Sequence, residues 1–360
     1  MSKSYIKLGE LASYINGYAF KPKDRGSEGL PIIRIQDLTG SSNDKGFYKG
    51  TYPSKIEINN GDVLISWSAS LGVYVWNNGK ALLNQHIFKV VFDKGEIDKD
   101  YFVYAVQFSL HRMRQLTHGA TMKHVVKKDF ENVLIPYPSL KDQRKVAHVL
   151  DKLKESINKK MDELTKLDEL IKARFVEMFG DPVQNSLNKP MVKLESLGNW
   201  KSGGTPARSN PNFYNGNINW FSAGELNSLY LSKSKEKITE EAVQKSSTKL
   251  FAKGSMLIGM YDTAAFKMGI LKESSCANQA CANIKVNEKV NVVWLYYELQ
   301  AMKEYFLNQR HGVRQKNLTL KMIKKFEIPI FDLNLQNKFA NFVQQVDKSK
   351  VAVQKSLDET

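Results

Sequence analysis

One stretch of this chain returns 193 residues further on without a gap, from His118 facing His311 to Ala147 facing Ala340. His118-Gly119-Ala120-Thr121-Met122-Lys123 leads to Leu134-Ile135-Pro136 and then to Leu140, Gln143, Lys145 and Ala147. His311-Gly312-Val313-Arg314-Gln315-Lys316 leads in the same order to Glu327-Ile328-Pro329 and then to Leu333, Gln336, Lys338 and Ala340. Upstream the match weakens but keeps its order. Lys7-Leu8-Gly9-Glu10-Leu11 faces Lys193-Leu194-Glu195-Ser196-Leu197, Gly61-Asp62-Val63-Leu64-Ile65 faces Gly254-Ser255-Met256-Leu257-Ile258, and Asn84-Gln85 faces Asn278-Gln279. Each copy spans roughly 140 residues, the size of a domain and not of a solenoid unit. The chain must therefore build one fold twice.

Within a copy, β-rich runs such as Pro31-Ile32-Ile33-Arg34-Ile35, residues 63 to 67 and residues 87 to 91 alternate with Gly and Asn turns, and residues 101 to 116 have helical spacing. This predicts a mixed α/β globule with a strongly curved or barrel-like sheet. After the first copy the pattern changes. Val146, Leu150, Leu153, Ile157, Met161, Leu164, Leu167, Ile171, Phe175 and Met178 recur at three- and four-residue steps, until Gly180-Asp181-Pro182 stops the helix. A helix of about 39 residues is a rod of roughly 58 Å, and its apolar seam needs a partner helix. The segment after the second copy supplies Phe339, Phe342, Val343, Val346, Val351 and Val353. Because both helices belong to one chain, an antiparallel pairing is expected, with Leu150, Leu153, Ile157, Leu164, Leu167 and Ile171 packing against Phe339, Val343 and Val346. The expected fold class is α+β: two similar mixed α/β domains, 1–140 and 181–333, joined by long antiparallel coiled-coil helices at 141–180 and 334–360, with approximate two-fold symmetry.

Charge narrows the function. Fifty-three Lys and Arg against 37 Asp and Glu leave +16, and an aromatic content of 11% is too high for a disordered basic tail. The helical segment from Lys141 to Glu177 holds ten basic and eight acidic residues, so the surplus sits in the repeats and the expected partner is a polyanion. No apolar run suggests a signal peptide or a membrane span, which reads as a soluble cytoplasmic protein without a membrane partner. Cys276 and Cys281 lack His partners at finger spacing, so reduced, buried thiols are expected and no metal site.

No Gly-x-Gly-x-x-Gly or Gly-Lys-Ser/Thr loop offers a phosphate cradle, and neither an Asn/Asp-Pro-Pro-aromatic tetrapeptide nor an acidic-x-Lys nuclease tripeptide occurs. His86, His111, His118, His124, His148 and His311 show no metal-pair spacing and no nucleophile partner. Catalysis by this chain is not expected.

What remains suits recognition. Candidate DNA contacts in the first copy are Trp67, Ser68, Asn84, Gln85, His118, Gly119, Thr121 and Lys123. In the second they are Thr205, Tyr261, Asn278, Gln279, Gly312, Arg314, Gln315 and Lys316. Asn and Gln pair with adenine in bidentate fashion, Arg with guanine, and Ser, Thr and Lys with phosphate. Asn84 and Asn278 serve equally well as turn caps, and His118 and His311 as structural loop residues.

These features together resemble the specificity subunits of Type I restriction-modification systems. The resemblance lies in Gly119, Ile135-Pro136-Tyr137-Pro138, Leu140 and Gln143, repeated as Gly312, Ile328-Pro329, Leu333 and Gln336. Lys7-Leu8-Gly9-Glu10-Leu11, residues 60 to 65 and residues 174 to 182 add to it. It implies two target recognition domains, each reading one half of a bipartite double-stranded DNA target. It also implies helices that space the halves and dock two DNA methyltransferase subunits, with motor-nuclease restriction subunits completing the complex. AdoMet, ATP and Mg would belong to those partners, with no cofactor in this chain. The second helical region offers about 25 residues from Gln336 against about 39 in the first, whereas the family's two regions are usually closer in length, which puts pairing along the distal half of the rod in question. A stand-alone bipartite DNA-binding regulator and a protein-binding coiled-coil adaptor are the competing readings, the adaptor disfavoured by the charge.

Overall fold

The computed structural model describes residues 5–42, 44–68, 70–115, 125–308 and 317–360. The chain divides into two compact units, Met1–Ser156 and Ile157–Thr360. In the first, an antiparallel sheet runs in the order Ser13–Asn16, Ile87–Val91, Val63–Ser66, Gly72–Val75. A second sheet runs Gly46–Tyr48, Leu30–Ile33, Ala81–Leu83, Glu57–Ile58, with its two central strands parallel. Two small sheets thus replace the single curved sheet expected. The reason lies in strand Val63–Ser66, which is buried on both faces. Val63 and Ile65 enter one apolar cluster with Leu8, Phe88 and Phe102, while Leu64 enters another with Ile33, Ile58 and Ile87. Side chains alternate across a strand, so an unbroken apolar run must serve two cores.

The second unit repeats the plan. One sheet has the order Gly198–Ser202, Cys281–Val286, Met256–Gly259, Met268–Leu271, Tyr230–Leu231, and the other Glu236–Ile238, Tyr214–Phe221, Cys276–Ala277. Met256 and Ile258 face one cluster and Leu257 another. Cys276 and Cys281 are free and buried, and burial pushes both thiols up to about 12.

The repeated motifs are the joints of this plan. Tyr5–Lys7 pairs with Leu134–Pro136, and Met191–Lys193 with Glu327–Pro329, so each copy is clipped shut where the helix leaves. Ile135 and Ile328 are fully buried in these ribbons. The repeated glutamine then locks the helix down. Gln143 accepts from Asp98 N at 2.9 Å and donates to Pro138 O at 2.9 Å, while Gln336 accepts from Asn291 N at 2.8 Å and donates to Phe331 O at 2.8 Å. Each satisfies two backbone groups that burial would otherwise leave costly.

The long helix, Leu140–Phe179, has 40 residues and extends roughly 60 Å. Ser139 caps its start, accepting from Asp142 N at 3.3 Å, and its end turns left-handed at Gly180 (φ +69°). Within the second unit it pairs antiparallel with the closing helix, Leu333–Asp358. Lys160 Nζ donates to Ser356 O at 2.7 Å, Lys350 meets Asp168 at 2.6 Å, and Phe175 packs on Phe339 at 5.4 Å. Ile171, Phe339, Val343 and Val346 are buried, and Ile157, Leu164 and Leu167 are half-buried. Leu150 is also half-buried, but Leu153 stays 38% exposed and Val149 57%, so the seam's apolar pattern outruns its burial. Among the described residues no helix is long and apolar enough to cross a membrane.

Helix Val292–Ala301 carries Glu298 into the core at 0% exposure, where neither carboxyl oxygen has a hydrogen-bond partner among the described residues. Burial pushes this carboxyl from its ordinary 4.5 up to about 8. The folded protein thus keeps a proton that the unfolded chain releases. Its contribution to stability is full below about pH 4.5 and falls as pH rises towards about 8. Glu298→Gln is expected to remove that loss, raising stability near pH 8 by about 4 kcal/mol. Melting curves near pH 5 and pH 8 check this, and a variant that gains nothing at the higher pH would contradict it.

Candidate nucleic-acid interface

In both units the chain leaves one sheet and enters the other through the same turn. Ala81–Leu83 passes into Ile87–Val91 through Asn84-Gln85-His86, and Cys276–Ala277 into Cys281–Val286 through Asn278-Gln279-Ala280. Asn84 N donates to Ile33 O at 3.1 Å and Ile87 N back to Asn84 O at 3.2 Å. Asn278 N and Cys281 N repeat these bonds to Phe221 O and Asn278 O at 2.9 and 3.1 Å. A glycine presses against each turn. A Cβ on Gly17 would lie 2.1 Å from Asn84 O, and one on Gly203 2.1 Å from Asn278 O.

The neighbouring strand ends are tied to this turn. Trp67 N donates to His86 O at 3.3 Å and Met260 N to Ala280 O at 2.9 Å. The carbonyls of Trp67 and Met260 accept from Val125 N and Leu318 N at 3.0 and 2.8 Å, so the chain just beyond 116–124 and 309–316 returns to the same edge. His118, Gly119, Thr121, Lys123, Gly312, Arg314, Gln315 and Lys316 lie outside the described residues.

Of the candidates that are described, Gln85 and Gln279 stand exposed at the turn tips. The oxygens of Asn84 and Asn278 accept from Gln85 N at 2.6 Å and Ala280 N at 3.1 Å, so both asparagines cap their turns. Trp67 is half-buried and stacked on Phe88 at 5.7 Å, and Ser68 is 2% exposed. Thr205 donates to Gln279 Oε1, and Tyr261 is 39% exposed.

The first unit has a cleft of about 320 Å³ at this edge, lined by Phe20, Arg34, Gln36, Ser68, Gln85 and His86 among others. Arg34 is held by Asp37 at 3.3 Å, by Ser42 at 2.9 Å and by the Asp44 carbonyl. In the second unit Arg208 lies over Tyr214 and Trp220 at 4.6 and 5.0 Å and forks onto Glu236 at 2.6 and 2.8 Å, holding that carboxyl below its usual range. Neither arginine, nor Gln36, was legible as a candidate. The signal was Ile33 facing Phe221, a match that a search at one fixed offset passes over because it falls at a different spacing.

Two copies of one α/β module joined to a coiled coil define a two-module recognition architecture. A family model described as the Type I restriction modification DNA specificity domain matches residues 3–166 and 188–359, and the chain belongs to this family. The EcoBI specificity subunit of Escherichia coli is 21% identical over 390 residues, covering 98% of this chain and 81% of that relative. The MjaVIII specificity subunit of Methanocaldococcus jannaschii is 26% identical over 379 residues, covering 95% and 85%. Among solved structures, the S subunit from M. genitalium shares the fold with a TM-score of 0.63 at 15% identity, covering 99% of this chain and 93% of that one. The chain is a Type I specificity subunit, a non-catalytic component of its system.

Proposed function

We propose that each unit reads one half of a bipartite, gapped target in double-stranded DNA, and that the helices dock methyltransferase subunits, two of them, through which motor-nuclease subunits join. AdoMet, ATP and Mg then act in those partners. The observation that carries this reading is one turn frame built twice, with polar side chains at its tips, in a chain of net charge +16. Positive charge supplies phosphate affinity, and side chains around the turn that differ between the copies supply the two halves of a sequence.

Co-expression with a Type I methyltransferase subunit of the same organism, followed by mapping of methylated bases, tests the proposal. A gapped two-part motif is expected. Failure to co-purify with the methyltransferase together with absence of any motif would refute it, and salt-sensitive DNA binding without methylation would favour a stand-alone regulator.

A further inference from the structure

We propose that Gln36 and His86 decide which bases the first unit accepts, Gln36 by touching a base edge and His86 by setting the direction of Gln85. This rests on the DNA-reading assignment above.

The shared frame identifies these positions. Arg34 N donates to Asp37 Oδ2 at 2.9 Å just as Ser222 N donates to Glu225 Oε2 at 2.9 Å, each three residues before its acceptor. Together with the Asn84–Ile33 and Asn278–Phe221 bonds, this fixes the equivalences: Gln36 stands where the second unit has Gly224, and His86 where it has Ala280. Gly17 and Gly203, Asn84 and Asn278, and Gln85 and Gln279 are the same in both. Within the cleft lining, Asn84 and Gln85 are kept as Asn278 and Gln279, whereas Gln36 and His86 change to Gly224 and Ala280. A module that reads a different base edge must change there.

The chemistry of Gln36 suits the role. Its backbone carbonyl accepts from Ser41 N at 3.0 Å, but its exposed carboxamide bonds to nothing among the described residues. Folding makes no use of that side chain. A free carboxamide at a cleft mouth presents one acceptor beside a donor, the pattern that pairs with adenine N7 and N6. Arg34 differs, because its three bonds fix it as part of the frame.

His86 works through its neighbour. Its Nε2 lies 3.2 Å from Gln85 Nε2, and its ring meets Trp67 edge-on at 5.3 Å. In the second unit the Thr205 hydroxyl holds Gln279 by Oε1 instead. The same glutamine is thus gripped by its amide in one copy and by its carbonyl in the other. Gln85 keeps an acceptor open and Gln279 keeps donors open, so the two tips ask for different base edges.

The test uses the full subunit co-expressed with its methyltransferase. Gln36→Gly and His86→Ala, each installing the second unit's residue, are compared with wild type by mapping methylated bases and by binding to target and non-target duplexes. Each variant is expected to lose discrimination roughly 5- to 150-fold at one position of one half-site. The other half and the affinity for non-target DNA should stay unchanged, and the melting temperature should fall by no more than a few degrees, the cost of a glycine in the short helix Ile35–Thr39. Gln36→Glu, which keeps size but only accepts, should shift the preference at its position towards cytosine, whose N4 donates. A purely structural role for His86 would instead lower the melting temperature and non-target binding together. Wild-type discrimination retained in Gln36→Gly and Gln36→Glu overturns the role of Gln36, and in His86→Ala that of His86. If the wild type itself yields no two-part motif, the DNA-reading assignment fails and this proposal with it.

Discussion

Phe339→Ala should destabilise the second unit by about 3–5 kcal/mol, the range for emptying a buried phenyl site. Phe339 is fully buried and meets Phe175, Phe179 and Tyr297 at ring distances of 5.4, 5.5 and 5.3 Å. Those rings come from the long helix and from helix Val292–Ala301, so one side chain joins three elements. The cavity cannot close without moving helices that are held elsewhere by the Gln336 clamp. A unit of this size loses about 2–4 °C per kcal/mol, which makes the expected drop in melting temperature roughly 6–20 °C. Val351→Ala removes an apolar residue of the same seam that is 69% exposed, and should cost under about 1 kcal/mol. Thermal unfolding of the two variants decides the matter; equal shifts would mean that the seam, and not this junction, holds the unit.

Gly203→Ala should be as severe, and more informative. Its Cβ would fall 2.1 Å from Asn278 O and 2.4 Å from Ala277 O, both backbone atoms of the turn that presents Gln279. The turn must open, at a cost of about 3 kcal/mol or more. Gly26→Ala is the control, since its Cβ would meet nothing nearer than Phe47 O at 3.8 Å. Methylation by a complex carrying Gly203→Ala should lose recognition of one half-site, and Gly17→Ala the other, while Gly26→Ala keeps both. Normal methylation by Gly203→Ala would show that the turn takes no part in reading DNA.

The long helix, its stop at Gly180 and the antiparallel pairing were legible because heptad spacing and helix stops are local signals. The repeated glutamine was visible as a motif, but its meaning was not. A buried clamp between a helix start and the cap of another helix depends on contacts 45 residues apart, Asp98 with Gln143 and Asn291 with Gln336. The division into two sheets was hidden for a similar reason: Val63 to Ser66 is an unbroken apolar run, and alternation shows only once both cores exist.

The candidate interface was half legible. Asn84-Gln85 and Asn278-Gln279 stood out because both copies keep them, and the structure places them at the same sheet crossing. Keeping them is also why they cannot by themselves distinguish two half-sites. Arg34, Gln36 and Arg208 escaped notice because the copies differ there, and the five extra residues that the second copy carries between Phe221 and Gly254 break the fixed offset. Ser68 was legible as a turn residue, yet it is buried next to the Trp67–Phe88 stack in the chain.

If one repeat reads one half of the target, exchanging residues 1–140 for those of another Type I specificity subunit and mapping methylated bases should yield a hybrid motif in which one half changes and the other half is retained. A motif altered in both halves, or in neither, would contradict it.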